Sequence, residues 1–260
     1  MTLEIRNLSY RHSSGFSLHD ISLTFQNAIT GIIGPNGAGK STLIKCMANI
    51  LDGSGDLFFR HQRISRQDRT FFANRVSYLP QLSLNDATLT VFEAVLLGLL
   101  NSLTLRVQAV QLQAVNAMLD RFGLQQLARR RICDLSGGQL QMVLLAQALI
   151  KQPDILLLDE PLNNLDIYHQ FSLMNLVAEL TRQNNMITVL VMHDINLTAR
   201  YADSMVVMDD GKVHSQGLPR DVISREMLRN IYRIDGNIRL NPQGRPVIEF
   251  LDIADGTQAG

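Results

Sequence analysis

The sequence predicts an α/β fold: a mostly parallel sheet covered by helices, with antiparallel strands at the N-terminus and an inserted helical block. Three observations carry this. Short apolar runs at 28–33, 76–79, 155–158, 187–192 and 205–208 alternate with segments of helical spacing, the pattern of strand–helix–strand crossovers. A glycine-rich turn follows the first of these runs and leads into a helical segment. From about residue 86 to 150 the apolar spacing is helical.

In chain order, Leu3, Ile5 and Leu8 flank polar residues, and Leu18, Ile21, Leu23 and Phe25 form a second run; both read as strands. A helix is expected over 40–50, with Leu43, Ile44 and Met47 on one face. Asp52-Gly53-Ser54-Gly55 is turn chemistry, and Pro80 stops the strand over 76–79. In the helical block, Leu112, Val115, Leu119 and Phe122 recur at three- and four-residue steps, and Gly123 can end that helix. Residues 139–150 are apolar nearly all round, so that helix should be buried on most sides. Helices are also expected over 167–180 and 195–201, Ser224 can cap a short one reaching Tyr232, and 237–260 reads as turn-rich. The division is then a core from 1–85 and 151–240, an inserted helical part at 86–150 and a tail at 241–260.

Composition narrows the class of function. Of 260 residues, 46% are apolar and 18% charged, an ordinary globular balance. Lys+Arg and Asp+Glu are both 24, so no global field draws the chain to nucleic acid or anionic lipid. Cys46 and Cys133 have no metal-ligand spacing and read as buried, reduced thiols. The N-terminus lacks a secretory pattern, and the apolar stretch 91–100 contains Glu93 and is too short to span a bilayer. The expectation is a soluble chain whose membrane partner, if it has one, is another polypeptide.

The chemistry begins at Gly34-Pro35-Asn36-Gly37-Ala38-Gly39-Lys40-Ser41-Thr42, which fits the P-loop pattern. Its glycines allow backbone N–H groups to curl around phosphate oxygens, and the following helix points its positive end at the same place. Lys40 adds a point charge for the outer phosphates, and the Ser41 hydroxyl can ligate Mg²⁺. A second acidic element follows the apolar strand 155–158, where Asp159 and Glu160 stand at its carboxyl end. Successive strand residues point to opposite sides, so the pair can divide the work. Asp159 would hold Mg²⁺, and Glu160 would polarise the water that attacks the γ-phosphate.

Leu135-Ser136-Gly137-Gly138-Gln139 opens a helix and offers a further anion site: a capping serine, bared amides and a helix dipole. Standing between the P-loop and Asp159-Glu160, it resembles the signature sequence of ABC ATPases. The resemblance extends over almost the whole chain. It implies an ABC-type P-loop ATPase in which Tyr10 stacks on adenine, Gln81 links the metal site to a membrane partner, and Asp166 lies in the loop after the acidic strand. It also implies that His193 contacts the γ-phosphate. ATP with Mg²⁺ would sit between the P-loop of one copy and Ser136-Gly137-Gly138 of the other in a head-to-tail homodimer. The stretches 159–176 and 192–217, with Gly244-Arg245-Pro246, are similar to importers of ferric siderophores, haem and cobalamin. That subfamily implies a peripheral subunit on the cytoplasmic face of the inner membrane, a separate integral-membrane permease and a substrate-binding protein. A soluble ABC ATPase, such as one serving iron–sulfur cluster assembly, is the alternative. The chain departs from the pattern at Leu140, Met142 and Gln147, where arginines are usual, and at Asn163 and Asn164. The run Arg129-Arg130-Arg131 reads as a solvated helix end.

Overall fold

The computed structural model describes every residue except 14, 82–87, 101–106, 164 and 255–260. Two strands, β1 (Thr2–Arg11) and β2 (Ser17–Gln26), open the chain, followed by β3 (Ile29–Ile33) and α1 (Lys40–Met47). Next come β4 (Asp56–Phe59), β5 (Gln62–Ile64), α2 (Arg69–Arg75), β6 (Val76–Leu79), α3 (Val91–Leu97) and α4 (Ala109–Arg121). Then α5 (Gly137–Leu149), β7 (Ile155–Asp159), α6 (Ile167–Gln183), β8 (Ile187–Val191), α7 (Ile195–Tyr201), β9 (Ser204–Asp209) and β10 (Lys212–Gly217) follow. The chain closes with α8 (Pro219–Val222), α9 (Arg225–Met227) running into a π-helical turn Leu228–Tyr232, β11 (Ile234–Leu240) and β12 (Pro246–Ile253).

The residues divide into two compact units. The first comprises Met1–Arg66 and Ile187–Gly260. In it β1 pairs antiparallel with β2 and β4, while β3 lies parallel between β8 and β9, with β10 antiparallel beyond β9. The five residues of β3 are all buried, which is why this strand is a continuous apolar run rather than an alternating one. Gly31 stands in it because α7 crosses close above. A Cβ there would lie 2.2 Å from Thr198 Cγ2, and Thr198 is itself buried and held by its hydroxyl on the Asp194 carbonyl at 2.6 Å. Gly31→Ala is therefore expected to destabilise the fold by about 1–3 kcal/mol through overpacking. A urea midpoint equal to that of the parent would contradict this packing.

The second unit is Gln67–Met186. Here β6 and β7 run parallel, α2 and α5 pack on β6, and α3 packs on α4 and α5. Val115 and Leu119 turn the apolar face of α4 inward, and Gly123 follows with φ of 65°, a conformation suited to ending a helix. Thr90 and Glu93 form a reciprocal capping box at the start of α3. Among the described residues, no helix is long and apolar enough to cross a membrane.

Two expectations need correction. The segment expected to be turn-rich from 237 onward contains most of an antiparallel hairpin, β11 with β12. Its only buried positions on β12 are Pro246 and Ile248, so exposed apolar and charged residues masked the strand pattern. Cys46 is buried, and burial pushes its thiol up to about 11, but Cys133 is exposed. Cys133 lies in a short 3₁₀ turn, Ile132–Asp134, in which only Ile132 faces inward.

Candidate active site

The P-loop joins β3 to α1 in the first unit. Gly34 lets the backbone pass β9 closely, since a Cβ there would fall 2.1 Å from the Met208 carbonyl oxygen. Gly39 is the N-cap of α1 with φ of 95°, and its missing side chain leaves room for the rings and methyls of Phe16 and Leu18. Asn36 and Gly37 are exposed on the loop between them. Lys40 is buried, and its ammonium donates to the Gly34 and Pro35 carbonyls at 2.8 and 2.9 Å. The cation thus lies along the inner side of the loop, with the loop holding its position. Ser41 and Thr42 follow in the first turn of α1. Tyr10 lies near the end of β1, opposite Leu18, half-buried and edge-on to His12 with ring centres 6.4 Å apart.

Two contacts with this loop were not foreseen. Phe16 lies against Gly39, and the Tyr232 hydroxyl accepts a hydrogen bond from the Gly34 amide. Burial pushes the Tyr232 phenol above its ordinary range, partly offset by that bond. Neither aromatic had a local sequence signal: one follows a loop, and the other ends a short helix far along the chain. His193 is exposed beyond β8, immediately before Asp194, whose carboxylate caps α7 by accepting from the Leu197 amide at 2.8 Å.

The acidic pair lies in the second unit. Asp159 ends β7 and is buried, and its Oδ2 accepts from the Tyr78 hydroxyl at 3.3 Å. Burial, then the neighbouring Asp159 charge, push the Tyr78 phenol up, so it remains a donor. Glu160 takes a left-handed backbone with φ of 51°, which turns the chain sharply out of the strand ahead of Pro161. Its Oε2 accepts from Asn163 Nδ2 at 2.6 Å. The departure at Asn163 therefore places an amide donor on the carboxylate assigned as base; Asn164 lies outside the described residues. Gln81 is exposed on a bend just after β6, and residues 82–87 of the expected coupling segment also lie outside the described residues.

The signature helix begins as its residues dictate. Ser136 Oγ accepts from the Gln139 amide at 3.3 Å, and Gln139 Oε1 accepts from the Ser136 amide at 3.2 Å. Gln139 thus holds the tip closed, while Gly137 and Gly138 keep the first turn free of side chains. Asp166 caps α6, accepting from the His169 amide at 2.9 Å. Tyr78, Asn163 and His169 were not assigned site roles from sequence. Each contacts an assigned residue through the fold or a turn; no motif spacing marks Tyr78 or His169, and Asn163 stands out only as a departure from the family pattern.

Comparison with known proteins shows the family. A profile described as ABC transporter matches residues 18–163. An uncharacterized ABC transporter ATP-binding protein of Methanocaldococcus jannaschii is 35% identical over 250 residues, covering 95% of this chain and 97% of the relative. A hemin import ATP-binding protein of Aliivibrio fischeri is 35% identical over 237 residues, covering 89% of this chain and 90% of its own length. A solved chain from a putative metal-chelate type ABC transporter in an inward-facing conformation shares the fold, with a TM-score of 0.83 at 22% identity, covering 98% of both chains. Because the profile spans more than half of the chain and these relatives are 35% identical over nearly its full length, the chain belongs to the ABC transporter family as an ATP-binding, ATP-hydrolysing protein.

Proposed function

We propose that this chain is the ATPase subunit of an importer for a metal chelate of the haem, siderophore or cobalamin kind. It would work as a homodimer on the cytoplasmic face of a membrane, attached to separate permease subunits and served indirectly by a substrate-binding protein. The observation that carries this is the near full-length similarity to a hemin import ATP-binding protein, together with the intact Gly34–Thr42, Ser136–Gln139 and Asp159–Glu160 motifs.

In this reading the amides of Asn36, Gly37 and Gly39, with Lys40 and Thr42, hold the phosphates, Gly34 shapes the loop that presents them, and Tyr10 stacks on the adenine. Glu160 accepts a proton from the attacking water, and His193 donates to the γ-phosphate. Ser136, Gly137, Gly138 and Gln139 of a second copy, with its Asp166, complete the site. The Ser41 hydroxyl, the Asp159 carboxylate and the Gln81 amide oxygen are hard oxygen donors, a set that suits Mg²⁺. When bound, the ion neutralises charge on the phosphate oxygens. The core of 1–85 and 151–240 carries the nucleotide, while 86–150 presents the signature tip. ATP then joins two surfaces and hydrolysis releases them, which turns bond chemistry into motion of the permease.

The test is to tag the chain in its native host, solubilise the membranes in mild detergent and identify what co-purifies. A stoichiometric polytopic membrane protein is expected. Recovery only from the soluble fraction, with soluble assembly proteins, would contradict the transport reading.

A further inference from the structure

His169 stands at the first turn of α6, and the chemistry assigned above gives it no task. Its ring touches two loops at once. The Asp166 Oδ1 atom lies 2.8 Å from His169 Nδ1 and also takes the His169 backbone N–H at 2.9 Å. An ionised carboxylate can only accept, so Nδ1 carries the proton. On its other side the ring lies against the bare backbone of Gly138. A Cβ added to Gly138 would meet His169 Cδ2 at 2.8 Å, Cγ at 3.0 Å and Nε2 at 3.3 Å, and these are its three nearest neighbours. Tyr168 adds an edge contact to the same ring, at 5.4 Å between centres and 88° between planes.

We propose that His169 is a positioning residue that locks the signature tip Ser136-Gly137-Gly138 to the Asp166 loop, so that each subunit presents the two as one rigid surface to ATP held by its partner. This rests on the dimer reading above. Both helix starts are already capped by their own residues, Ser136 for α5 and Asp166 for α6, so each end is closed without the histidine. What the ring adds is a link between them. Its orientation is fixed by Asp166, and that orientation sets how far the first turn of α5 can approach. The His169 backbone N–H first, and then its imidazole N–H, hold the Asp166 carboxyl below its usual range, so the acceptor stays ionised. Gly138 therefore has a packing reason to lack a side chain, beyond baring its amide to a ligand.

The test uses Glu160→Gln as parent, so that ATP persists, and follows self-association by sedimentation as ATP is raised. In that background His169→Ala and His169→Phe should both raise the ATP concentration for half-maximal association about tenfold, the scale of one hydrogen bond to a charged group. Binding of a fluorescent ATP analogue to the dilute monomer should be unchanged, because the P-loop is untouched. Phenylalanine keeps the ring volume against Gly138 and should keep the parent's melting temperature, which separates positioning from simple packing. If the phenylalanine variant associates at the parent's ATP concentration, the link to Asp166 is dispensable and the proposal fails. Weaker analogue binding by the monomer would also overturn it, because the effect would then lie in the subunit's own site. If the parent itself does not associate with ATP while still binding it, the dimer reading falls, and this inference falls with it.

Discussion

Glu160→Gln is expected to lower ATP turnover on the order of 10²-fold or more while leaving ATP binding intact. The carboxylate is assigned to the proton of the attacking water, a task that matters in the transition state and little before it. The amide is nearly isosteric, and its carbonyl can still accept the hydrogen bond now given by Asn163 to Oε2. The sharp exit from β7 should survive as well, since it is made by the backbone and by Pro161. A steady-state phosphate-release assay beside an equilibrium ATP titration checks this. Parental turnover in the variant would remove Glu160 as base.

Lys40→Ala is expected to weaken ATP binding by about 10- to 10²-fold, the range for losing a charged hydrogen-bonding partner of a phosphate. The geometry gives two reasons. The ammonium is the positive charge placed at the loop, and it also braces the loop by donating to the Gly34 and Pro35 carbonyls. Alanine removes both at once, whereas the rest of α1 keeps its buried face of Leu43, Ile44 and Met47. Isothermal titration with ATP reads the loss directly. An unchanged dissociation constant would count against the loop as the phosphate cradle.

Much of the fold was legible because its period is written in the residues. The run after residue 28 became the buried strand β3, and the three- and four-residue spacing from Leu112 became α4 with Val115 and Leu119 inside. Ser136 marked the start of α5 because a capping serine is a local signal, while the reciprocal bond from Gln139 appeared only in the structure. The short elements were harder to read. Neither β5 nor α2 buries a residue, so neither carries an apolar rhythm to detect, and the hairpin β11–β12 leaves Phe250, Leu251 and Ile253 exposed. In the candidate site, the motif residues were legible and their supports were not. Tyr78 reaches Asp159 from a neighbouring strand, and Tyr232 reaches Gly34 from nearly two hundred residues away, contacts that only the folded chain creates. Asn163 was visible as a departure from the family pattern, but its hydrogen bond to Glu160 depends on the turn that Glu160 makes.

The most direct test of the account is a crystal structure of the full chain with Mg²⁺ and a non-hydrolysable ATP analogue. The account predicts two copies related head to tail, with each triphosphate held by residues 34–42 of one copy and covered by Ser136, Gly137 and Gly138 of the other. Phosphates bound elsewhere, or both signature tips facing solvent with nucleotide in place, would contradict it.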